Sequence, residues 1–403
     1  LYELSPKFTV ILPVFEALYC GTLSEFVFCP NNDKWDSTLI QSIRRVKTGP
    51  QASVHPTSER WAFLDVVRGI AALAVMLQHS VWHNFEAFAA FSISFWSAGR
   101  FGVVAFFLVS GFIVPQSLEK KGDIKEFWIG RFFRLFPLYW ACLAIMAMVI
   151  AVGFQVTTAI NPSNWTHWLI NMTMIEGILR QPEAIPVAWT LGLEMVLYGA
   201  ITLAYRLNFL QKTRLIAGML LFTATLSSVL VPVLLHTRYP AGAVAVCAAI
   251  VGGLVLYRSH SRKISSNEAL VWILLCMGSI AVSALFNYQD ARDMANQLQP
   301  TRLCAIVSSI SGFLFFLILM NYKTGSFYQS SVGKAFLWLG KISYSLYLLH
   351  PLVNDLIVVQ DNPVLNVLVQ TAASIAVAHL AYTFIEKPGI ALGKKFLKKK
   401  ATA

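Results

Sequence analysis

Ten stretches of about 20 predominantly apolar residues run through this chain, near 62–82, 97–116, 135–154, 187–206, 214–235, 241–257, 269–286, 303–321, 337–356 and 365–386. Each is long enough, as a helix, to cross the ~30 Å hydrocarbon core of a bilayer. Composition agrees, with 56% hydrophobic and only 13% charged residues, against a charged fraction of about 25% in soluble domains. The expected fold class is an all-α polytopic membrane protein of about ten transmembrane helices.

The net charge of +12 is unevenly placed. Lys120, Lys121, Lys125, Arg131 and Arg134 follow the second stretch, Arg206, Lys212 and Arg214 the fourth, and Arg258, Arg262 and Lys263 the sixth; Lys323 and Lys334 follow the eighth. The alternate connections hold only Arg180, Arg238, Arg292 and Arg302. By the positive-inside bias both ends of the bundle face the cytoplasm, in a multi-pass protein of the cell's inner (plasma) membrane. The charge is thus a topology signal, and no nucleic-acid partner follows from it. The tail "KKFLKKK" reads as an anchor to anionic membrane lipid. Residues 1–59 form an N-terminal extension, 60–390 the ten-helix domain and 391–403 a basic cytoplasmic tail. The extension holds no methionine before Met76, so it is either a cytoplasmic segment or chain upstream of the true start, and the second reading is preferred.

Cys142, Cys247, Cys276 and Cys304 fall inside apolar stretches and Cys20 and Cys29 near the start, with no spacing that suggests a disulfide framework or zinc. No metal is expected. The longest connection, 155–186, belongs on the outer side. Its Trp165 and Trp168 suggest an interfacial or re-entrant segment that contributes to an acceptor surface.

"FLDVVRGIAALAVMLQHSVW" (63–82) carries Arg68 and His79 inside an apolar run. Eleven positions are almost three helical turns, so the two share one face about 16 Å apart. Asp65, one turn before Arg68, can pair with it. Ionisable groups at membrane depth normally face a bundle interior or a wet cavity, although a snorkelling Arg68 and a hydrogen-bonded His79 would also serve. Further such groups are Arg131 and Arg134, one turn apart in "GRFFRLFPLYW"; Glu194 in "AWTLGLEMVLY", between Trp189 and Tyr198; His350 in "SYSLYLLHP"; and Glu386 in "FIEKP". Together they indicate a polar cavity with a basic cytoplasmic mouth, which suits an enzyme or a transporter.

At these residues the chain resembles the membrane acyltransferase-3 family, from about Arg60 to Pro388. Arg68 and His79 meet the family's Arg, ten residues, His pattern, and Arg131 and Arg134 its Arg, two residues, Arg pattern. "GVVAFFLVSGFIVPQSL" is similar to its second helix, through Gly102, Phe106, Phe107, Ser110, Gly111 and Phe112; "WTLGLE" and "ISYSLYLLHP" match two further elements. The chain departs at Val66, where many members have glycine, and at Val104 and Ala105, where an acidic residue is common; both bear on acceptor preference more than on the reaction. The resemblance implies a stand-alone O-acyltransferase without a fused esterase-like domain, moving an acyl group, most often acetyl, from acyl-CoA to a hydroxyl of a surface or exported glycan, lipid-linked glycans included.

Such a transfer needs a base within hydrogen-bond reach of a weakly nucleophilic hydroxyl. His79 is expected to act as that base or to be transiently acylated. Glu194 is expected to orient His79, to polarise the acceptor or to pair with a buried arginine. Arg131, Arg134 and Arg68 are expected to hold the phosphates of the acyl-CoA, since guanidinium forks match phosphate oxygens. Asp65, Trp189, Tyr198 and His350 are supporting residues. The alternatives are a glycan or lipid transporter, whose usual cue of paired interrupted helices in two similar halves is missing here, and an inert partner of a glycan assembly complex.

Overall fold

The structure is a computed structural model that describes residues 62–237, 239, 241–288, 300–322 and 325–401. The N-terminal extension with Cys20 and Cys29, and also Arg238, Arg292 and Lys323, lie outside the described residues. In chain order the helices are α1 (Ala62–Trp82), α2 (Glu86–Ser94), α3 (Ala98–Lys121), α4 (Ile124–Ala151), α5 (Trp165–Asn171), α6 (Trp189–Arg206) and α7 (Thr213–Leu235). They continue with α8 (Ala241–His260), α9 (Ser266–Asn287), α10 (Arg302–Asn321), α11 (Gly325–Gln329), α12 (Ser331–Leu356), α13 (Pro363–Ala381), a π-helical turn (Tyr382–Glu386) and α14 (Lys387–Ala401). No strand occurs among the described residues. The protein is an all-α polytopic membrane protein.

All ten apolar stretches lie in long helices. Eight spans are long and apolar enough to cross a membrane, the last being the continuous rod of α13, the π turn and α14. The other two stretches are α6 and α12. The first has 18 residues including Glu194 and Arg206, and the second carries Lys334, Lys341, His350 and Asp355. Their polar content sets them apart from the other eight.

Helix starts differ most from the hydropathy pattern where charged residues precede an apolar run. The third stretch is expected from residue 135, yet α4 begins at Ile124. Gly122 takes a left-handed φ of 69°, closing α3, and the Asp123 side chain accepts from the Lys125 N–H at 2.7 Å. Capping at the first turn extends the helix through "IKEFWIGRFFR", so Arg131 and Arg134 stand on a rigid helix rather than at its entrance. The connection 155–186 carries α5 and is fastened by the buried Asn171, which accepts from the Ala184 N–H at 2.7 Å and donates to the Pro182 carbonyl at 3.0 Å. The basic tail is helical to Ala401 and lies along α4, with Phe396 stacked on Phe133 at 5.4 Å.

Burial separates inner from outer helices: 72% of the α8 span is buried, against 17% of α7. Helices α1, α3, α8 and α12 form the centre. Lipid offers no hydrophobic drive for helix association, so small residues that admit close backbone approach carry much of the packing. Glycines do this at both central crossings. A Cβ on Gly340 of α12 would collide with the Asp65 carbonyl of α1, and one on Gly253 of α8 with the Leu108 carbonyl of α3. At one end of the bundle Glu119 of α3 pairs with the buried Arg258 of α8 at 2.6 Å and with Lys263 at 3.2 Å. At the other end a chain of polar side chains fixes α1 against α12 and α13: Ser80 donates to Asn354 at 3.2 Å, Asn366 donates to Asn84 at 2.8 Å, and Gln370 donates to the Asn354 carbonyl at 3.2 Å.

Gly340→Ala is expected to lower unfolding stability in detergent by about 1–3 kcal/mol through overpacking. Gly278→Ala in α9, where nothing lies within 4 Å of the added carbon, should be neutral or stabilising by up to about 1 kcal/mol. Equal melting shifts for the two variants would show that the α1–α12 crossing does not depend on the missing Cβ.

Candidate active site

Three adjoining cavities follow α3 from one end to the other. The first, of about 300 Å³, is a basic mouth lined by Arg68, Lys121, Arg131, Arg134 and Lys394 among others. The second is a throat of about 80 Å³ that shares Arg68, Ile113, Arg131 and Arg134 with the mouth and adds Phe106, Glu194, Tyr344 and Tyr347. The third, of about 510 Å³, shares Val103 and Tyr347 with the throat and holds His79. Lys121 of α3 lines the mouth, Ser110 the throat and Gly99 the far chamber. That is 22 residues, or about 33 Å at ~1.5 Å per residue.

The pattern on α1 therefore has a structural counterpart. Arg68 lines mouth and throat, and His79, three turns on, opens into the far chamber. Asp65 approaches Arg68 at 3.5 Å, as the one-turn spacing predicts. Arg131 lies over two rings, Phe127 at 5.2 Å and Tyr198 at 5.0 Å. Tyr198 in turn donates to Glu194. Ser345 donates to the buried Glu386 at 2.7 Å, a carboxylate within electrostatic reach of Arg134. The π turn that carries Glu386 is a distortion often found at functional positions.

Glu194 and His79 are not brought together. The carboxylate stands in the throat with Tyr198, Arg131 and Arg134, and His79 lies in the next chamber. The group beside His79 is His350, with ring centroids 5.2 Å apart. His350 is fully buried, its Nδ1 lies 3.2 Å from the Leu346 carbonyl, and its Nε2 has no hydrogen-bond partner among the described residues. Trp189 lines the His79 chamber with Pro186 and Val187. Sequence reasoning gave no role to Tyr347, yet this residue separates throat from chamber. Its hydroxyl lies 2.9 Å from the Thr190 Oγ1, and its ring meets Phe106 at 5.7 Å and His350 at 6.1 Å. Position within "SYSLYLLH", one turn before the histidine, is the signal that marks it. Lys394 was likewise hidden, because a basic tail gives no sign that it folds back onto α4.

Residues 61–385 match the model of the acyltransferase-3 family, described as an acyltransferase domain. The chain belongs to that family. It is similar to a protein of Acidianus two-tailed virus named as an acetyltransferase, at 25% identity over 297 residues, 72% of this chain and 82% of that protein. It is also similar to acyltransferase MdmB of Streptomyces mycarofaciens, at 29% identity over 159 residues (38% of this chain, 41% of the relative). A third relative is peptidoglycan O-acetyltransferase OatA of Listeria monocytogenes, at 24% identity over 366 residues (81% and 55%). The chain thus spans only about half the length of the two bacterial relatives. No solved structure matches it. The three cavities accordingly run through a membrane-embedded acyltransferase domain.

The acyltransferase chamber is walled on one side by the segment that leads into α6, where two carboxyl groups are held close. Glu176 is buried and accepts from the Tyr139 hydroxyl at 3.0 Å, and burial raises it above the usual carboxylate range. Burial and the neighbouring Glu176 push Glu183 up to about 7. An acid raised in the folded state binds its proton more tightly there than in the unfolded chain, so this segment is most stable at low pH and loses stability as pH rises from about 4.5 through about 7. Glu183→Gln should flatten that dependence. Thermal unfolding of the two proteins from pH 5 to 8 checks it, and parallel pH curves would show that Glu183 is not the titrating group.

Proposed function

We propose that this acyltransferase moves an acetyl group from acetyl-CoA to a hydroxyl of a surface or exported glycan, in the cell's inner membrane, with the basic mouth on the cytoplasmic side. One observation carries the reading: a cluster of guanidinium groups at one end of a cavity series and an accessible imidazole at the other. The glycan class is supported by the peptidoglycan O-acetyltransferase name of one relative. A transporter would also need polar cavities, but the acyltransferase family match favours the enzyme.

On this reading Arg131, Arg134 and Lys394 hold the phosphates of the donor, for which forked and point-like cations are both suited. Arg68 guards the entry to the throat. The narrow throat admits the slender arm of the donor and brings its thioester toward His79, a travel of about 16 Å along α1. Glu194 and Glu386 balance the arginines when the mouth is empty. The carbonyl beside Nδ1 of His350 assigns the proton to that nitrogen, leaving Nε2 as a lone pair. The two rings stand 5.2 Å apart without a hydrogen bond between them; an N–H of His79 turned toward that lone pair would leave its other nitrogen bare and facing the reacting hydroxyl. In the transfer His79 takes the hydroxyl proton, the oxygen attacks the thioester carbonyl, a C–O bond forms as the C–S bond breaks, and the proton passes to the departing thiolate. Acylation of His79 itself, followed by transfer of the group to the hydroxyl, uses the same contacts.

His79→Ala should reduce acetyl transfer by about 100-fold or more, the typical contribution of a positioned base, while the protein still inserts. His350→Gln, which keeps an acceptor near the Nε2 position, should retain more activity than His350→Ala, and only the alanine variant should shift the pH–rate profile. Radiolabelled acetyl-CoA with the membrane-reconstituted protein measures both; near-normal transfer by His79→Ala would remove the imidazole from the chemistry. Arg131→Gln with Arg134→Gln should raise KM for acetyl-CoA by about 10-fold or more, as loss of charge-assisted bonds does, and more than KM for the acceptor. Unchanged donor dependence would make the pair a topology anchor only.

A further inference from the structure

The chamber around His79 contains a cation that acetyl transfer to a neutral sugar does not require. Arg100 lines it, in the first turn of α3, where its own N–H donates to the Ser97 Oγ at 3.2 Å. A helix N-terminus carries partial positive charge and disfavours a cation. The position also lies at the opposite end of the bundle from the basic loops, against the positive-inside pattern. Its guanidinium is partly buried and engages Tyr288, donating from Nη1 to the phenol oxygen at 2.9 Å with the ring centroid 5.2 Å away. Among the described residues no carboxylate forms an ion pair with it. Among the described residues three unfavourable circumstances therefore coincide at one side chain, and Tyr288 fixes its position without neutralising it.

The rest of the chamber shares this bias. Its titratable lining groups are His79, His83, Arg100 and the phenol of Tyr347, with no carboxylate among the described lining. Trp82 and Trp189 supply flat apolar faces with a polar edge, the side chains suited to the mixed apolar and hydroxylated surface of a sugar ring. Arg100 is also near the chemistry: Gln78 Oε1 accepts from the Ala98 N–H at 3.0 Å, so His79 and Arg100 follow directly on two segments that touch.

We infer that the acceptor in the His79 chamber is an acidic glycan, and that Arg100 recognises its negative group, a carboxylate or a phosphate, and so determines which hydroxyl reaches His79. This rests on the acetyl-transfer reading above. A guanidinium fork binds either anion with two parallel N–H bonds, and the bound anion supplies a counter-charge that the described residues do not give Arg100.

The test compares surface glycans, by fragment mass analysis, from cells without the chain and cells carrying the wild type, R100Q, R100K or Y288F, with membrane levels of each protein matched. The expected acetylated fragment contains a uronic acid or a phosphate, and its composition tells the two sources apart. R100Q should lower its acetylation by about 10-fold or more, R100K should retain an intermediate level, and Y288F should lose less than R100Q. The deacetylated glycan from those cells and its carboxyl-reduced or dephosphorylated form are then given to the purified protein. Wild type should prefer the charged form, and R100Q should narrow that preference. Acetate on a neutral glycan, an R100Q preference equal to that of wild type, or Y288F and R100Q acting alike would overturn the inference. Cells whose glycans show no acetyl difference with and without the chain would overturn the glycan reading itself, and this inference with it.

Discussion

The architecture depends on keeping two ionisable side chains of one helix out of hydrocarbon. Arg68 and His79 lie on a single face of α1, and each would be costly against lipid, about 2.5–3.5 kcal/mol for an arginine on insertion scales. The bundle resolves this by making α1 one of its central helices and lining its polar face with cavities. Everything nearest to α1 serves that arrangement. Helices α3 and α12 flank it, the glycine at 340 lets α12 approach to backbone contact, and the Ser80–Asn354 and Asn84–Asn366 bonds stop α1 from rotating its histidine toward lipid.

The close crossings and the cavities are two sides of one constraint. Where glycines bring backbones together there is no room for solvent, and where large side chains hold helices apart there is. Along α3 this alternates: Gly111 meets the α8 backbone, while Ser110, one residue before it, faces the throat. A helix that packs tightly on one face and leaves space on the other can carry a path through a membrane domain without loosening the core.

Much of this was legible in the sequence. The ten apolar stretches locate the ten long helices, and the eleven-residue spacing from Arg68 to His79 places them on one face. Asp65 and Arg131 with Arg134 were found by one-turn spacing, which is a local property of helices. Partnerships between distant helices were not legible. The bond from Tyr198 to Glu194 is again a one-turn contact, but nothing local to "AWTLGLEMVLY" says that Glu194 shares a cavity with Arg131 and Arg134 of α4, or that the neighbour of His79 comes from α12, 271 residues further on. Helix starts were hidden for a different reason. Hydropathy marks the lipid-buried part of a helix, and the capped, charged turns of α4 that carry Arg131 lie before it. The tail shows the same limit, since its charge suggests lipid and its contacts with Phe133 come from α4.

The throat explains why aromatic residues, rather than further polar ones, separate the two larger cavities. On the proposed function the enzyme takes its donor at one membrane face and its acceptor toward the other, and must connect the two without becoming a conduit for ions and water. A constriction of about 80 Å³ closed by Phe106 and Tyr347, whose rings meet at 5.7 Å, presents an apolar collar that disfavours a continuous water column. On the proposed function it would still admit a thin, uncharged arm, with the phosphates of the donor held by the arginines on the mouth side of the collar. Tyr347 is tied by its hydroxyl to Thr190 of α6 and by its ring to His350. The residue that narrows the passage therefore packs against one ring of the imidazole pair it leads to, so throat and chamber meet at a continuous row of rings, Phe106, Tyr347, His350 and His79.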